Sequence, residues 1–261
     1  MKIMHTRIAD HNIDIYTDSK RAWAFLSQYF FCFERREKDS GHLQIEIEMG
    51  YGVSFIDYNV ETKDELDVIT FKRADYKIEV DHGYKKAKIM AYDELALKHA
   101  TMNLYSAFIV HHNWGILLHS SCAVDSEQAH IFTGHSGAGK STAAQLSQPR
   151  LLLSDEATIV KVQTGSVMIY NSPFRSELHA KEVEQPIPLA SIQLLYQAPR
   201  NVRIQQRKSV ALVELIDKVF YWSYRKEQVS QLMKLLKQVA DEVPVYHLHF
   251  QKNNTFWELI S

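Results

Sequence analysis

The chain is 261 residues long, 46% hydrophobic and 23% charged, with 30 Lys and Arg against 31 Asp and Glu for a net charge of −1. That length suits one large domain or two small ones, and the composition excludes collagen-like, disordered and low-complexity chains. The near-neutral balance, with a pI near 6.9, argues against nucleic-acid binding through a whole-chain basic field. Glycine is the outlier: of only nine, Gly134, Gly137 and Gly139 fall within six consecutive positions. The prolines are asymmetric too, all six lying after residue 148. Cys32 and Cys122 have no metal-ligand spacing, which favours a reduced, intracellular protein. No signal peptide is visible at Met1–His5, and no apolar run reaches the ~18 residues of a membrane span. The expectation is a cytoplasmic protein that engages neither membrane nor nucleic acid.

In chain order, the first ninety residues read mainly as strands, with a short aromatic-rich helix over 19–31. Leu43–Glu48 and Tyr76–Val80 alternate apolar and polar residues as half-buried strands do, and Asp81-His82-Gly83 forms a turn after the second. A helix is predicted from Asp93 to His112, capped by Asp93, with Leu97, Ala100, Leu104 and Phe108 on one face and Gly115 ending it. The domain boundary is therefore drawn near residue 92, giving regions 1–92 and 93–261. Ile116–Val124 and Ala129–Thr133 are strands, and the second runs directly into the glycine cluster. A two-turn helix then leads to Pro149, followed by a buried strand, Leu151–Ser154. Residues 157–163 and 166–170 form a hairpin around Thr164-Gly165. A strand over 191–197, helices near 209–222 and 226–241, a strand over 243–250 and a short aromatic tail complete the chain.

Gly134-His135-Ser136-Gly137-Ala138-Gly139-Lys140-Ser141 fits G-x-x-x-x-G-K-[ST] without a mismatch, between a strand and a helix. Glycines let the backbone turn tightly enough for successive N–H groups to converge on phosphate oxygens, and the following helix start adds free donors. Lys140 would neutralise the β- and γ-phosphates of ATP, and Ser141 would offer its hydroxyl to Mg²⁺. The competing reading, a glycine-rich turn that happens to contain a lysine, requires a chance match expected in about one such chain in a hundred.

Asp155-Glu156 closes the strand of leucines fifteen residues beyond Lys140. If that strand lies beside the one feeding the loop, both carboxylates reach the nucleotide, one for Mg²⁺ and one to accept the proton of an attacking hydroxyl. The alternative is a solvated loop start. His119, inside the preceding apolar strand, is either a hydrogen-bonded core residue or a group at the phosphates. His135 is read as an exposed, variable loop position. His111-His112 and His247-x-His249 carry no trusted zinc spacing. Arg200, Arg203, Arg207 and Lys208 read as a solvated basic face, or as a dock for an acidic group.

Around these residues the sequence resembles the HPr kinase/phosphorylase family, whose catalytic domain is similar to phosphoenolpyruvate carboxykinase. The stretches that carry the resemblance are Leu118–Val124, Ile131–Thr142 and Leu152–Glu156, with a weaker match at Ser172-Pro173-Phe174-Arg175. Val243–Leu248 and Phe256-Trp257 resemble shorter members, some of which phosphorylate a serine of a lasso-peptide precursor. The resemblance implies an α/β fold: a PEP carboxykinase-like P-loop nucleotide-binding domain behind a mainly β N-terminal region. It makes His119 the active-site histidine, Lys140 the phosphate-loop lysine, residues 134–142 (through Thr142) the ATP site, and Ser141, Asp155 and Glu156 the Mg²⁺ site. Arg175 becomes the candidate for charge stabilisation near the γ-phosphate. Glu156 departs from the family's second aspartate, so either carboxylate could be the base. The regulatory kinase's downstream glutamate-containing, glycine-rich segment has no counterpart, which argues against HPr as substrate and against the reverse phosphorylase reaction. The expectation is an ATP- and Mg²⁺-dependent serine kinase acting on a peptide or small protein, with residues 1–92 recognising the substrate or partner and a homo-oligomer left open. A nucleotide-dependent binding or regulatory protein and a small-molecule kinase remain the alternatives.

Overall fold

A computed structural model describes residues 2–33, 41–176, 183–222 and 225–260. It is a mixed α/β protein whose described residues form two β-sheets, five α-helices and one 3-10 helix. The chain divides into two compact units, Met1–His111 with Tyr221–Lys226, and His112–Phe220 with Glu227–Ser261.

The first unit contains β1 (Lys2–Ile8), β2 (His11–Thr17), α1 (Lys20–Tyr29), β3 (Leu43–Met49), β4 (Glu61–Asp64), β5 (Val68–Lys72), β6 (Tyr76–Asp81), β7 (Lys86–Ala91) and α2 (Glu94–His111). Its sheet has the order β1-β2-β3-β7-β6-β5-β4. The alternation read in β3 is realised: Leu43, Ile45 and Ile47 are buried while Glu46 and Glu48 face outward, Glu48 pairing with Lys88 at 2.6 Å. The predicted N-terminal helix is α1, capped by the Ser19 hydroxyl, which accepts the Ala22 N–H at 3.2 Å.

Helix α2 starts as its cap predicts, the Asp93 carboxylate accepting the Ala96 N–H at 2.9 Å. It is buried all round from Ala100 to Val110, rather than along the single predicted stripe. Two polar side chains are accommodated by partners within the unit: Asn103 Nδ2 donates to the Tyr76 hydroxyl at 3.0 Å, and the Tyr105 hydroxyl to the Ile8 carbonyl at 3.2 Å. The chain turns after His111 through Asn113 at φ +51°, not through the expected Gly115. Gly115 instead opens a strand, where a Cβ would lie 2.1 Å from the Val160 carbonyl oxygen. Because α2 packs on β6 and β7, the division falls after His111 instead of near residue 92.

The second unit contains β8 (Gly115–Asp125), β9 (Gln128–Thr133), α3 (Lys140–Leu146), β10 (Leu151–Ser154), β11 (Ala157–Gln163), β12 (Ser166–Tyr170), β13 (Ile187–Gln197), β14 (Val202–Gln205), α4 (Lys208–Ile216), α5 (Lys226–Glu242), β15 (Val245–Phe250) and the 3-10 helix Asn254–Leu259. β8 and β13 have 11 residues each and change partners along their length, so the pairings β8–β11–β12–β13–β9–β8 close on themselves. β14 was not foreseen, and α4 stops at Ile216, short of the predicted 222. The basic cluster is not a uniformly solvated face either. Arg203 lies 3.6 Å from the Tyr246 ring centre and donates to Gln193 Oε1 and the Leu259 carbonyl, tying the C-terminal segment to β13 and β14.

In the turn between β5 and β6, Arg73 and Asp75 form a two-point pair at 2.6 and 2.8 Å, with side chains 2% and 1% exposed. Arg73 also reaches His99 Nδ1 at 2.9 Å and the Tyr76 ring at 4.4 Å. Removing one member of such a pair strands the other charge in the interior. Asp75→Ala should therefore lower stability by about 3–5 kcal/mol, read from urea unfolding. Burial, and then the Arg73 charge, push His99 down to about 4, so its imidazole is neutral in the fold. Proton uptake below the unfolded value of about 6.5 favours the unfolded chain. Stability should fall by about 2 kcal/mol from this group between pH 7 and pH 5, and His99→Gln should reduce that loss.

Candidate functional site

The glycine cluster lies wholly in the second unit, at the end of β9, where the buried strand residues Ala129–Thr133 give way to exposed His135, Ser136 and Gly137. Thr133 donates its hydroxyl to the His119 carbonyl at 2.8 Å, locking the end of β9 onto β8. The Ala138 N–H closes a turn onto the His135 carbonyl, and Gln197 Nε2 holds the Gly137 carbonyl at 2.8 Å. Gly139 has φ +109°, and a Cβ there would sit 2.7 Å from the Phe250 ring, so both conformation and space demand glycine. At Gly134 a Cβ would meet the buried Ala138 Cβ at 2.8 Å. The loop backbone is thus drawn close to its own underside while its outer side stays open.

Lys140 opens α3. Its Nζ folds back to the Gly134 and His135 carbonyls at 3.1 and 3.2 Å, spanning the start of the loop. Ser121 of β8 donates to the Lys140 carbonyl at 3.0 Å, fixing the root of the helix. Ser141 is exposed and Thr142 half-buried on the first turn.

His119 stands beside this lysine. Its backbone N–H donates to the Lys218 carbonyl at 2.7 Å, and its ring lies 5.1 Å from that of Phe220. The segment after α4 therefore runs along β8, with a bridge between Leu118 and Val219 and the Phe220 N–H bound to the Leu117 carbonyl. Burial first, and then the positive charges of Lys140 and Lys218, push His119 down to about 4. Lys140 is likewise lowered by burial and by Lys218. Two ammonium groups and a neutral imidazole thus share one region, an arrangement that favours an arriving anion.

The acidic doublet is not delivered as the sequence suggested. β10 pairs with β8, which lies between it and β9. Ser154 is opposite Cys122 and Ala157 opposite His119, so Asp155 and Glu156 stand across from Ser120 and Ser121, where β8 changes partner. Only Ser120–Ser121 of β8 separates the doublet from the root of α3. Glu156 accepts the Ser120 N–H through its carbonyl at 3.1 Å and its side chain is half-buried. Asp155, 5% exposed, accepts the Ser176 N–H and hydroxyl at 3.1 and 3.0 Å.

Arg175, expected near a terminal phosphate, is turned into the protein at 2% exposure. Its Nε donates to the Ser172 carbonyl, and its Nη2 to the Leu153 carbonyl at 3.0 Å and Asn171 Oδ1 at 2.5 Å. These contacts make it a clamp on the end of β10, and so a support for Asp155, in place of a direct ligand for phosphate.

Sequence reasoning missed Lys218, because the apolar spacing around it continues α4. No local signal marks it; the helix ends two residues earlier and the chain crosses to β8. Lys218 lines a cleft of about 270 Å³ together with Gly134, His135, Leu194, Tyr196 and Glu214. Among the described residues, no group of three or more His, Cys, Asp or Glu side chains is placed to hold a metal ion, and no helix is long and apolar enough to cross a membrane.

Residues 85–261, 177 of the 261, match the profile of the family described as SynChlorMet cassette protein ScmC, and the chain belongs to that family. The match spans β7, α2 and the whole second unit. No curated protein matches the chain significantly.

The His119 environment makes a direct prediction. Its imidazole should titrate near 4 in NMR spectra, and adding inorganic triphosphate should raise that midpoint by offsetting the two ammonium charges.

Proposed function

We propose that the chain is an ATP-dependent serine kinase that phosphorylates a peptide or small protein, on a PEP carboxykinase-like P-loop domain related to HPr kinases. The observation that carries this reading is the loop itself. Steric contacts at Gly134 and Gly139 and left-handed backbone at Gly137 and Gly139 require glycine at three points of the 134–139 turn, which is directly followed by Lys140.

The residues fit Mg²⁺–ATP by their chemistry. Loop N–H groups and the Lys140 ammonium suit phosphate oxygens, while the Ser141 hydroxyl and the carboxylates of Asp155 and Glu156 are hard oxygen donors suited to Mg²⁺. When bound, Mg²⁺–ATP supplies the transferable phosphoryl group and neutralises its charge. Lys140 orients the phosphates and offsets the negative charge that shifts toward the bridging oxygen. His119, being neutral, acts as a hydrogen-bonding group at the phosphates and contributes no positive charge. Asp155 or Glu156 accepts the proton of the acceptor serine hydroxyl; Ser176 already donates a hydroxyl to Asp155, the kind of contact an acceptor serine would make. Arg175 positions this carboxylate by clamping β10. The enzyme would act in the cytoplasm, and the first unit would recognise the substrate, of the precursor-peptide kind or another small protein.

A second reading, a nucleotide-dependent binding module, is favoured by the engagement of Asp155 with Ser176 and by the glutamate at 156. Incubation with labelled ATP and candidate peptides separates the two: transfer to serine supports the kinase, and binding without transfer supports the module. Lys140→Ala should lower transfer by at least about 100-fold while leaving the circular dichroism spectrum and unfolding midpoint close to wild type. Retained transfer in that variant would overturn the kinase reading.

A further inference from the structure

We propose that Lys218 is a second lysine of the phosphate site, contacting the terminal phosphoryl group of a bound nucleoside triphosphate from the side opposite the loop. The inference rests on the nucleotide-site reading of residues 134–141 and adds to it a residue outside the motif.

Three observations place it there. Lys218 shares the cleft with Gly134 and His135, the first two residues of the loop, whose carbonyls Lys140 holds. Its backbone is fixed at the site, because the Lys218 carbonyl accepts the His119 N–H at 2.7 Å and the next two residues bind β8. Its side chain is only 13% exposed, yet its ammonium pairs at 2.6 Å with Asp217, which is 71% exposed. A lysine whose stem is buried beside the loop, with its counter-ion out in solvent, can exchange a well-hydrated carboxylate for a phosphate at little cost. The depressed values of His119 and Lys140 agree with this placement, since Lys218 contributes to both. The second ammonium also gives the site a means of distinguishing a triphosphate from a diphosphate, because the loop and Lys140 already serve the inner phosphates.

The test is the differential affinity of the full chain for Mg²⁺-bound β,γ-imido-ATP and for Mg²⁺–ADP, measured by calorimetry. Lys218→Met keeps the stem and removes the charge, and the backbone contacts to β8 do not depend on the side chain. It should weaken the triphosphate analogue about 10- to 100-fold and ADP less than about twofold, while Lys218→Arg restores most of the triphosphate affinity. Equal losses for both nucleotides would assign Lys218 to the loop's structure, and no loss for either would remove it from the site; each overturns the proposal. If wild-type protein binds neither nucleotide, the nucleotide-site reading fails as well, a result distinct from normal wild-type binding that Lys218→Met leaves intact.

Discussion

Strand β8 has to satisfy its backbone hydrogen bonds against four different segments, and that requirement organises the second unit. Its first half pairs with β11 on one edge and takes up the stretch after α4. Its second half pairs with β9 and β10. A buried strand cannot leave its N–H and C=O groups unpaired without a cost of the order of 1–3 kcal/mol for each. Most of the groups considered for function are tied to this strand or to its immediate neighbours. His119 belongs to it, the loop continues its neighbour β9, Ser121 holds Lys140, the acidic doublet fills the gap between β10 and β11, and Lys218 docks on His119.

The electrostatics follow from that arrangement. Bringing Lys140 and Lys218 together beside a half-buried imidazole is unfavourable for cations: burial first, and then the lysine charges, hold His119 and Lys140 below their ordinary values. The protein moderates the concentration of charge by letting Lys140 donate to loop carbonyls and Lys218 to a solvent-facing Asp217. Such a site is poised for an anion, because an arriving negative charge relieves a repulsion already present. On the other side of β8, Arg175 is held by carbonyls of β10 and Asp155 by Ser176, which gives the carboxylate a fixed direction.

Much of the secondary structure was legible because its signals are local. Asp93 caps the helix it was expected to cap, the helix expected over 19–31 forms at Lys20–Tyr29, the alternation of β3 is that of a half-buried strand, and Thr164-Gly165 turns the β11–β12 hairpin. Errors arose where a residue type serves two purposes. Gly115 reads as a helix stop but is glycine because β11 passes too close for a side chain. Arg175 and Arg203 read as charges offered outward, yet both satisfy acceptors inside the unit. Nothing in a one-dimensional pattern separates an arginine that awaits a ligand from one that clamps a strand.

The sequence by itself determined the glycine-rich loop: its glycines, lysine and hydroxyl fall within residues 134–141, and the backbone conformation they require is set by adjacent residues. It also determined the strand–loop–helix setting and the close succession of His119, Lys140 and the doublet along the chain. Only the tertiary structure decided which of these groups share a site and from which side. The insertion of β8 between β9 and β10, the end of α4 at Ile216 and the docking of Lys218 beside His119 depend on hydrogen bonds between segments up to about a hundred residues apart. Local chemistry writes such partners into no neighbouring residue; they emerge when β8 meets the backbone that can pair with it.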